Sequence, residues 1–366
     1  MIYMDNAATK LGNFGLFNIN SPYAREQKES FEIARENIAI MLNVNPEHIY
    51  FTSGGCEANS WALQRCGVKH IITTKIEHSS VLNCCKWLER HGCTVTYLDV
   101  DRHGYVSPLD LDRALTLQSL APTLVSIMYV NNEIGTVQNI KALREVIDKH
   151  NKFREQSSTE TLMDFAEHIY FHSDCVQASH IDIPIECLDM ASFSGHKFGK
   201  NFGVGFLYSR IPLEPLIFGG SQEHGLRGGT SNSAAVMEMA LSFVDAHLNK
   251  NPIHIMIRYL KDCLVASGLD YVINTPDDSE SNILSVSFKD ADAEGLMIFL
   301  SDFEVYVSAG SACETDHKEP SHVLKAIGVP NDYINGTIRF SLSENTKPTE
   351  VIHTIKLIKE YINAKG

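Results

Sequence analysis

The chain has 366 residues, of which 44% are apolar and 21% charged, a balance typical of a folded protein with a packed core. Asp and Glu (45) outnumber Lys and Arg (31), and the net charge of −14 argues against a protein that binds nucleic acid through phosphate contacts. Nine cysteines without a CxxC pair argue against a disulfide framework or a structural zinc site. We therefore expect a cytoplasmic protein, and no apolar run predicts a membrane helix.

Seven short apolar runs between residues 48 and 208 predict β-strands, and helical patterns separate them. The runs are 48–52, 68–74, 94–100, 123–130, 169–173, 190–193 and 204–208. A first helix is predicted after Ser21 as its N-cap, with Pro22 at its first position, and a later one begins near residue 140. The polar stretch 151–167 is predicted to be a surface loop. This alternation predicts an α/β fold with a mostly parallel seven-stranded sheet.

The order of elements changes after about residue 246. Helices are predicted at 253–264, at 293–300 and from Pro348 to residue 362, with strands at 283–288, 305–308 and 334–342. A second, smaller α+β domain is the simplest interpretation. We expect residues 13–246 to form the large domain, and residues 1–12 and 247–366 to form the small one.

Polar side chains follow the predicted strands at the edge where ligands bind in open α/β sheets. The glycines of residues 52–59 open a helix whose N-terminus can hold an anion such as phosphate. Each polar residue alone is more often a helix cap or a solvated charge. Together, a histidine to stack on a ring, an aspartate to pair with a ring nitrogen, a lysine to form an imine and a phosphate-binding helix match the needs of pyridoxal phosphate. The side chains at the other strand ends are His78, Asn132, Asp174, Gln177 and Lys197.

Seven motifs, in one order along nearly the whole chain, make the sequence resemble the cysteine desulfurases. They are residues 4–9, 51–59, 77–78, 130–135, 194–197, 227–230 and 311–313. The resemblance implies a pyridoxal-phosphate enzyme of the class V aminotransferase family, with the fold-type-I architecture of such transferases. The spacing from Cys313 to residues 319–324 is similar to that of the subgroup with the longer active-site loop.

The resemblance also implies the residues that hold the cofactor. Lys197 matches the lysine that binds the cofactor covalently, His78 the histidine stacked on its ring, and Asp174 the carboxylate paired with the ring nitrogen. Gln177 matches the partner of the ring oxygen, and Asn132 a residue near that oxygen and the substrate carboxylate. The residues that match phosphate contacts are Gly55, Cys56, Ser194, His196 and Thr230. Thr230 is expected to reach in from the second subunit of a homodimer.

Substrate chemistry is implied for Arg339, Cys313 and His78. Arg339 matches the arginine that binds the carboxylate of L-cysteine, a task that suits a bidentate guanidinium. Cys313 matches the nucleophile that takes the substrate sulfur as a persulfide and leaves L-alanine, with His78 as the expected base for its thiol. The persulfide would pass to an acceptor protein of iron–sulfur cluster assembly or of tRNA or DNA thiolation. We expect no metal in the site and no direct contact with nucleic acid.

Two other classes of protein stay open from the sequence. One is a different enzyme on the same fold, a selenocysteine lyase or a class V aminotransferase; Cys313 argues against the aminotransferase, which needs no nucleophilic cysteine. The other is a catalytically inactive homologue that only binds, although Lys197, Asp174 and Arg339 are all present. Cys56 stands where the family usually has threonine, so a weaker thiol donor replaces a hydroxyl and we expect weaker cofactor binding.

Overall fold

The computed structural model describes residues 24–117, 121–157, 168–178, 180–199, 202–248, 253–309 and 320–365. All seven predicted strands of the first part are present: β1 (Ile49–Thr52), β2 (His70–Thr74), β3 (Thr94–Leu98), β4 (Thr123–Ser126), β5 (Ile169–Asp174), β6 (Met190–Ser194) and β7 (Gly205–Ser209). They form one sheet in the order β1-β7-β6-β5-β4-β2-β3. Five neighbouring strands run parallel, and β7 is antiparallel to both β1 and β6. The prediction of a mostly parallel seven-stranded sheet is confirmed.

Helices cover both faces of this sheet. They are α1 (Arg25–Leu42), α2 (Gly55–Arg65), α3 (Ser79–Arg90), α4 (Pro108–Thr116), α5 (Ile140–Ser157) and α6 (Ser233–Leu248). One face packs against α1, α4, α5 and α6, with Phe31 and Phe243 in its core. The other packs against α2 and α3, with Trp61 and Val81 buried there. Both faces of the strands are apolar because both are covered, which explains the continuous apolar runs in the sequence.

A second, antiparallel sheet follows in the chain. Its strands are β8 (Tyr271–Ile273), β9 (Ile283–Phe288), β10 (Ser308–Ala309) and β11 (Thr337–Ser341), in the order β10-β11-β9-β8. The accompanying helices are α7 (Ile253–Ser267), α8 (Ala293–Ser301), α9 (His322–Ala326), α10 (Asn331–Ile334) and α11 (Pro348–Lys365). The apolar faces of α7, α8 and α11 form a separate core with this sheet. The smaller α+β unit therefore exists, while the domain bounds stay a prediction, since residues 1–23 lie outside the described ranges.

A further apolar cluster joins the two sheets. Ile76 and Ile134, which follow strands of the large sheet, pack with Val323, Leu324 and Ile334 of the small unit. Burial of apolar surface there stabilises the contact. The start of α9 is consequently held at the carboxyl edge of the large sheet.

The prediction of a loop at 151–167 is wrong for its first part, because α5 continues to Ser157. Asn151 donates to the Ile169 carbonyl (3.0 Å) and accepts from its N–H (2.9 Å), and Arg154 donates to the Ala121 carbonyl (3.0 Å). Both polar side chains are buried because they satisfy backbone groups at strand ends. Residues 158–167 lie outside the described ranges.

Smaller differences concern the second part of the chain and the first helix. The strand predicted at 305–308 is reduced to β10, and the one predicted at 334–342 to β11, with α10 before it. The strand β8 has only three residues and was not predicted. The predicted cap, Ser21 with Pro22, lies outside the described residues. Within the described ranges, no helix combines the length and apolar character needed to cross a membrane.

Candidate active site

A cavity of about 450 Å³ lies at the carboxyl edge of the large sheet, where the segments after β1, β2, β4, β5 and β6 meet. Ten predicted site residues line it: Gly55, Cys56, His78, Asn132, Asp174, Gln177, Ser194, His196, Lys197 and Arg339. Thr230 is exposed and is not among the residues that line it. Cys313 lies outside the described residues. In the part of the chain that the structure describes, no group of three or more His, Cys, Asp or Glu side chains is arranged to hold a metal ion.

The turn between β1 and α2 depends on two glycines. Gly54 adopts a φ of +152°, which other residues rarely adopt. A Cβ at Gly55 would lie 2.7 Å from Val176 Cγ2, so the backbone of the first turn of α2 approaches the segment after β5 as closely as packing allows. This close approach directs the helix N-terminus, with its partial positive charge, toward the cavity.

Glu57, in the first turn of α2, is tied to a distant arginine. Its carboxylate accepts from the Ser53 N–H (2.8 Å) and from Arg227 Nε (2.8 Å) and Nη2 (3.1 Å). Burial alone would raise the pKa of Glu57, but the hydrogen bonds from Arg227 and Ser53 lower it below its ordinary value. Because Arg227 balances this carboxylate, the N-terminus of α2 retains its ability to attract an anion.

Asp174, the last residue of β5, is a buried carboxylate with both oxygens held. Oδ1 accepts from the Val176 N–H at 3.0 Å, and Oδ2 accepts from Asn59 Nδ2 at 2.7 Å. Two donors on two oxygens restrict rotation of the carboxylate plane. Asp174 therefore presents a pre-oriented negative group to the cavity.

His78 caps the N-terminus of α3 with its own ring. The Ser80 N–H donates to His78 Nδ1 (3.1 Å), and Ser80 Oγ lies 2.8 Å from the same nitrogen. A backbone N–H can only donate, so Nδ1 is the acceptor and the neutral ring carries its hydrogen on Nε2. In this arrangement His78 offers an N–H donor, and acting as a base at Nε2 would require the other tautomer.

Lys197 ends a short 3₁₀ turn, Gly195–Lys197, directly after β6. Its side chain lines the cavity and is exposed. Ser194 Oγ lies 3.0 Å from His196 Nδ1 on the same turn. Partial burial and the nearby charge of Lys197 lower the pKa of His196, which favours its neutral form. The turn therefore brings a cationic Lys197 and a neutral His196 to the same wall of the cavity.

Arg339, on β11, brings the small sheet to the cavity. Its Nη1 donates to the Asn132 carbonyl at 2.8 Å, and in the sheet it pairs with Ser308 of β10. The guanidinium therefore lies beside the segment after β4 while its backbone belongs to the second sheet. A cation in this position is suited to bind a carboxylate.

The start of α9 lies at the wall of the same cavity. Ser321 Oγ donates to Glu133 Oε2 (2.5 Å), and His322 Nε2 donates to the Glu77 carbonyl (2.9 Å). Glu133 and His322 both line the cavity. These bonds hold the start of α9 against the segments after β2 and β4.

Glu77 is a buried carboxylate behind this wall. Burial raises the pKa of Glu77 to about 8, although the Met128 N–H and the Thr74 hydroxyl donate to it, and the charge of Asp174 adds to the rise. The protonated form therefore persists to higher pH than for an exposed glutamate. Glu77 supports the cavity without lining it.

The cysteines of the described residues differ in access. Cys84, Cys85 and Cys175 are buried, and burial raises the pKa of each thiol. Cys66 is half-exposed as a residue, yet burial of its thiol raises the pKa to about 12. Thiols in this state are poor nucleophiles. Cys56 is exposed and lines the cavity.

Asn59, Ser80, Glu133 and His322 are among the residues that line the cavity and were not predicted from the sequence. The one usable signal concerned Asn59, which follows Gly55 by four residues and so lies on the same face of α2. The contacts of His322 depend on packing between the two sheets, and no local pattern reveals them.

The residues present fit pyridoxal phosphate. A Cβ at Gly55 would occupy the space between α2 and Val176, so this cradle requires glycine beside a helix N-terminus suited to phosphate. The same cavity holds a lysine, Lys197, and an oriented carboxylate, Asp174. Its volume is in the range of cofactor sites, roughly 300–1,000 Å³.

Residues 18–353 match the family described as aminotransferase class-V. The cysteine desulfurase IscS of Methanosarcina thermophila is 36% identical, over 99% of this chain and 92% of that protein. A solved NifS-like protein superposes with a TM-score of 0.83 and 32% identity over 98% of both chains, which confirms the fold-type-I architecture. SspA in complex with cysteine superposes with a TM-score of 0.73 and 31% identity over 92% of this chain and 94% of that one. The chain therefore belongs to the class-V aminotransferase family, among its cysteine desulfurases, and is a pyridoxal-phosphate enzyme.

Proposed function

We propose that this chain removes sulfur from L-cysteine, releases L-alanine and holds the sulfur as a persulfide on Cys313. The observation that carries the proposal is the single cavity in which Lys197, His78 and Asp174 face Arg339 of the second sheet. The cysteine bound to SspA supports L-cysteine as the substrate.

Pyridoxal phosphate, when bound, supplies an electron sink for charge that develops at the substrate Cα. Lys197 would hold the cofactor and move a proton at Cα. Asp174 would pair with the ring nitrogen, and His78, Gln177 and Asn132 would hold the ring. The phosphate would be held by Gly55, Cys56, Ser194, His196 and, from a second subunit, Thr230.

Arg339 binds the substrate carboxylate and so fixes which end of L-cysteine faces Lys197. The Cys313 thiolate then attacks the substrate sulfur: an S–S bond forms, the C–S bond breaks, and a proton completes the methyl group of L-alanine. Cysteine plus one protein thiol thus gives alanine plus one protein persulfide, so atoms and electrons balance. His78 is proposed to take the thiol proton after its tautomer changes.

The persulfide passes to an acceptor protein in iron–sulfur cluster assembly or in tRNA or DNA thiolation. The net charge of −14 favours a protein acceptor over direct contact with nucleic acid. A homodimer is proposed because Thr230 is exposed and outside the cavity of its own chain. The free thiols of the described residues suit a reducing, cytoplasmic location.

The alternatives receive less support. An aminotransferase needs no sulfur nucleophile, and the relatives named cysteine desulfurase support desulfuration over selenocysteine lysis. An inactive binding homologue would have no need of Lys197, Asp174 and Arg339 in one cavity.

The test is a product assay on the purified chain with pyridoxal phosphate, L-cysteine and a thiol reductant. We expect equal amounts of alanine and sulfide, and a visible absorption band that Lys197→Ala abolishes. Cys313→Ser should retain the band and lose sulfide release. Pyruvate without sulfide, or activity with selenocysteine alone, would contradict the proposal.

A further inference from the structure

Asn59, on α2, contacts the Asp174 carboxylate directly and the His78 ring through Ser80. Its side chain is buried, and its Nδ2 lies 2.7 Å from Asp174 Oδ2 and 2.9 Å from Ser80 Oγ. Ser80 Oγ in turn lies 2.8 Å from His78 Nδ1. One amide therefore connects the carboxylate at the end of β5 with the ring that caps α3.

The direction of each hydrogen bond that links Asp174, Asn59, Ser80 and His78 is determined. The Ser80 N–H must donate to His78 Nδ1, so Nδ1 carries no hydrogen and the Ser80 hydroxyl also donates to it. The hydroxyl oxygen is then left to accept from Asn59. The Asp174 carboxylate accepts as well, so both partners of Asn59 require its N–H groups.

This requirement leaves the carbonyl oxygen of Asn59 buried, without a hydrogen-bond partner among the described residues. Reversing the amide would not relieve it, because Oδ1 would then face two acceptors, Asp174 Oδ2 and Ser80 Oγ. A buried acceptor without a partner is destabilising, and such groups in native proteins call for an explanation. The need for an N–H donor to hold Asp174 explains why the Asn59 carbonyl oxygen is left without a partner among the described residues.

We propose that Asn59 is a positioning residue that aims the Asp174 carboxylate at the ring nitrogen of the cofactor. This inference rests on the proposed roles of Asp174 and His78. The Val176 N–H holds one oxygen of Asp174 and Asn59 holds the other, so the carboxylate keeps one orientation. The link through Ser80 keeps the amide in the orientation that Asp174 needs.

The test compares two ligands in the full-length chain stripped of cofactor: pyridoxal phosphate and its analogue with carbon in place of the ring nitrogen. Dissociation constants are measured by equilibrium binding. The analogue lacks the group that Asp174 recognises, so the parent should bind pyridoxal phosphate at least about tenfold more tightly. Asn59→Leu should reduce this preference to less than about threefold by weakening only the binding of pyridoxal phosphate.

Asn59→Ala provides a second variant, which should lose the preference for the same reason, because its methyl side chain cannot donate a hydrogen bond. Thr73→Val is the matched control, since Thr73 is buried in β2 and its hydroxyl has no hydrogen-bond partner among the described residues. It should retain the preference of the parent.

The outcomes distinguish the assignment of Asp174 from the positioning role of Asn59. Equal binding of both ligands by the parent overturns the assignment of Asp174 and the role of Asn59 with it. A preference that persists in Asn59→Leu or Asn59→Ala overturns the role of Asn59 alone. Equal weakening of both ligands by these variants shows a merely structural role and also overturns it.

Discussion

The buried pair Arg35 and Glu223 joins two segments 188 residues apart, and its disruption should be the most costly single change outside the cavity. The side chains of Arg35 and Glu223 are 5% and 3% exposed. Their bidentate contacts measure 2.9 and 3.1 Å, and Glu223 also accepts from the Phe51 N–H at 2.9 Å. Arg35 lies over the Phe51 ring, 4.6 Å from its centroid.

Glu223→Gln removes the negative charge while keeping the shape of the side chain. Arg35 then stays buried with only the half-exposed Glu32 (3.0 Å) as a charged partner. Breaking a buried pair from one side costs about 3–5 kcal/mol, and we expect a loss near the lower end of this range because Glu32 remains. The loss is large because water cannot reach the guanidinium. Glu29→Gln makes the same chemical change in the exposed pair with Arg25, whose side chains are 90% and 61% exposed (Arg25 and Glu29), and should cost no more than about 0.5 kcal/mol.

Urea denaturation of the cofactor-free protein, followed by circular dichroism, measures both variants against the parent. We expect a clear shift of the transition to lower urea for Glu223→Gln and almost none for Glu29→Gln. If the two variants unfold at the same urea concentration, the reasoning from burial is refuted. Refolding of the parent to its original spectrum is the control for reversibility.

Three further outcomes follow from the geometry. Gly55→Ala should weaken pyridoxal-phosphate binding about tenfold in equilibrium dialysis, because the added Cβ would meet Val176 Cγ2 at 2.7 Å. Unchanged binding would show that the cofactor does not need the close approach of Gly55 to Val176. Arg339→Lys should raise the KM for L-cysteine at least about tenfold with a smaller change in kcat, because a lysine cannot bind a carboxylate bidentately; an unchanged KM would place the carboxylate elsewhere. Glu77→Gln should flatten a fall in stability between pH 4.5 and about 8. Burial raises the pKa of Glu77 from 4.5 to about 8, so the folded protein retains a proton that the unfolded chain releases, and stability falls as pH rises through this range. Urea titrations of the parent and of Glu77→Gln at pH 5 and pH 8.5 measure this. The same change in stability between the two pH values in both proteins would contradict the prediction.

The sheet and most of the cavity could be predicted because their signals are local. Strands covered on both faces are continuous apolar runs, and parallel strands bring the residues that follow them to one edge. Asp174, Lys197 and His78 are therefore visible in the sequence as polar residues directly after apolar runs, and the cavity contains all three.

The features that escaped prediction depend on contacts distant in the chain. Asn59 is a helix-interior asparagine, which usually faces water, and its burial is explained by Asp174, 115 residues away, and by Ser80, 21 residues away. Asn151 was expected in a loop because it is polar, yet it satisfies the backbone of Ile169. Arg35 and Glu223 show no pattern that would pair them. Burial of a polar group requires a partner, and local sequence does not identify a distant partner.

The most direct test of the central claim is a single turnover with sulfur-labelled L-cysteine in the absence of reductant. We predict that one equivalent of alanine forms and that the label stays on a peptide containing Cys313. Cys313→Ser should form no labelled protein, while Cys263→Ser, at a half-buried position on α7, should match the parent. Label on a different cysteine, or alanine formed by Cys313→Ser at the parent's rate, would contradict the account.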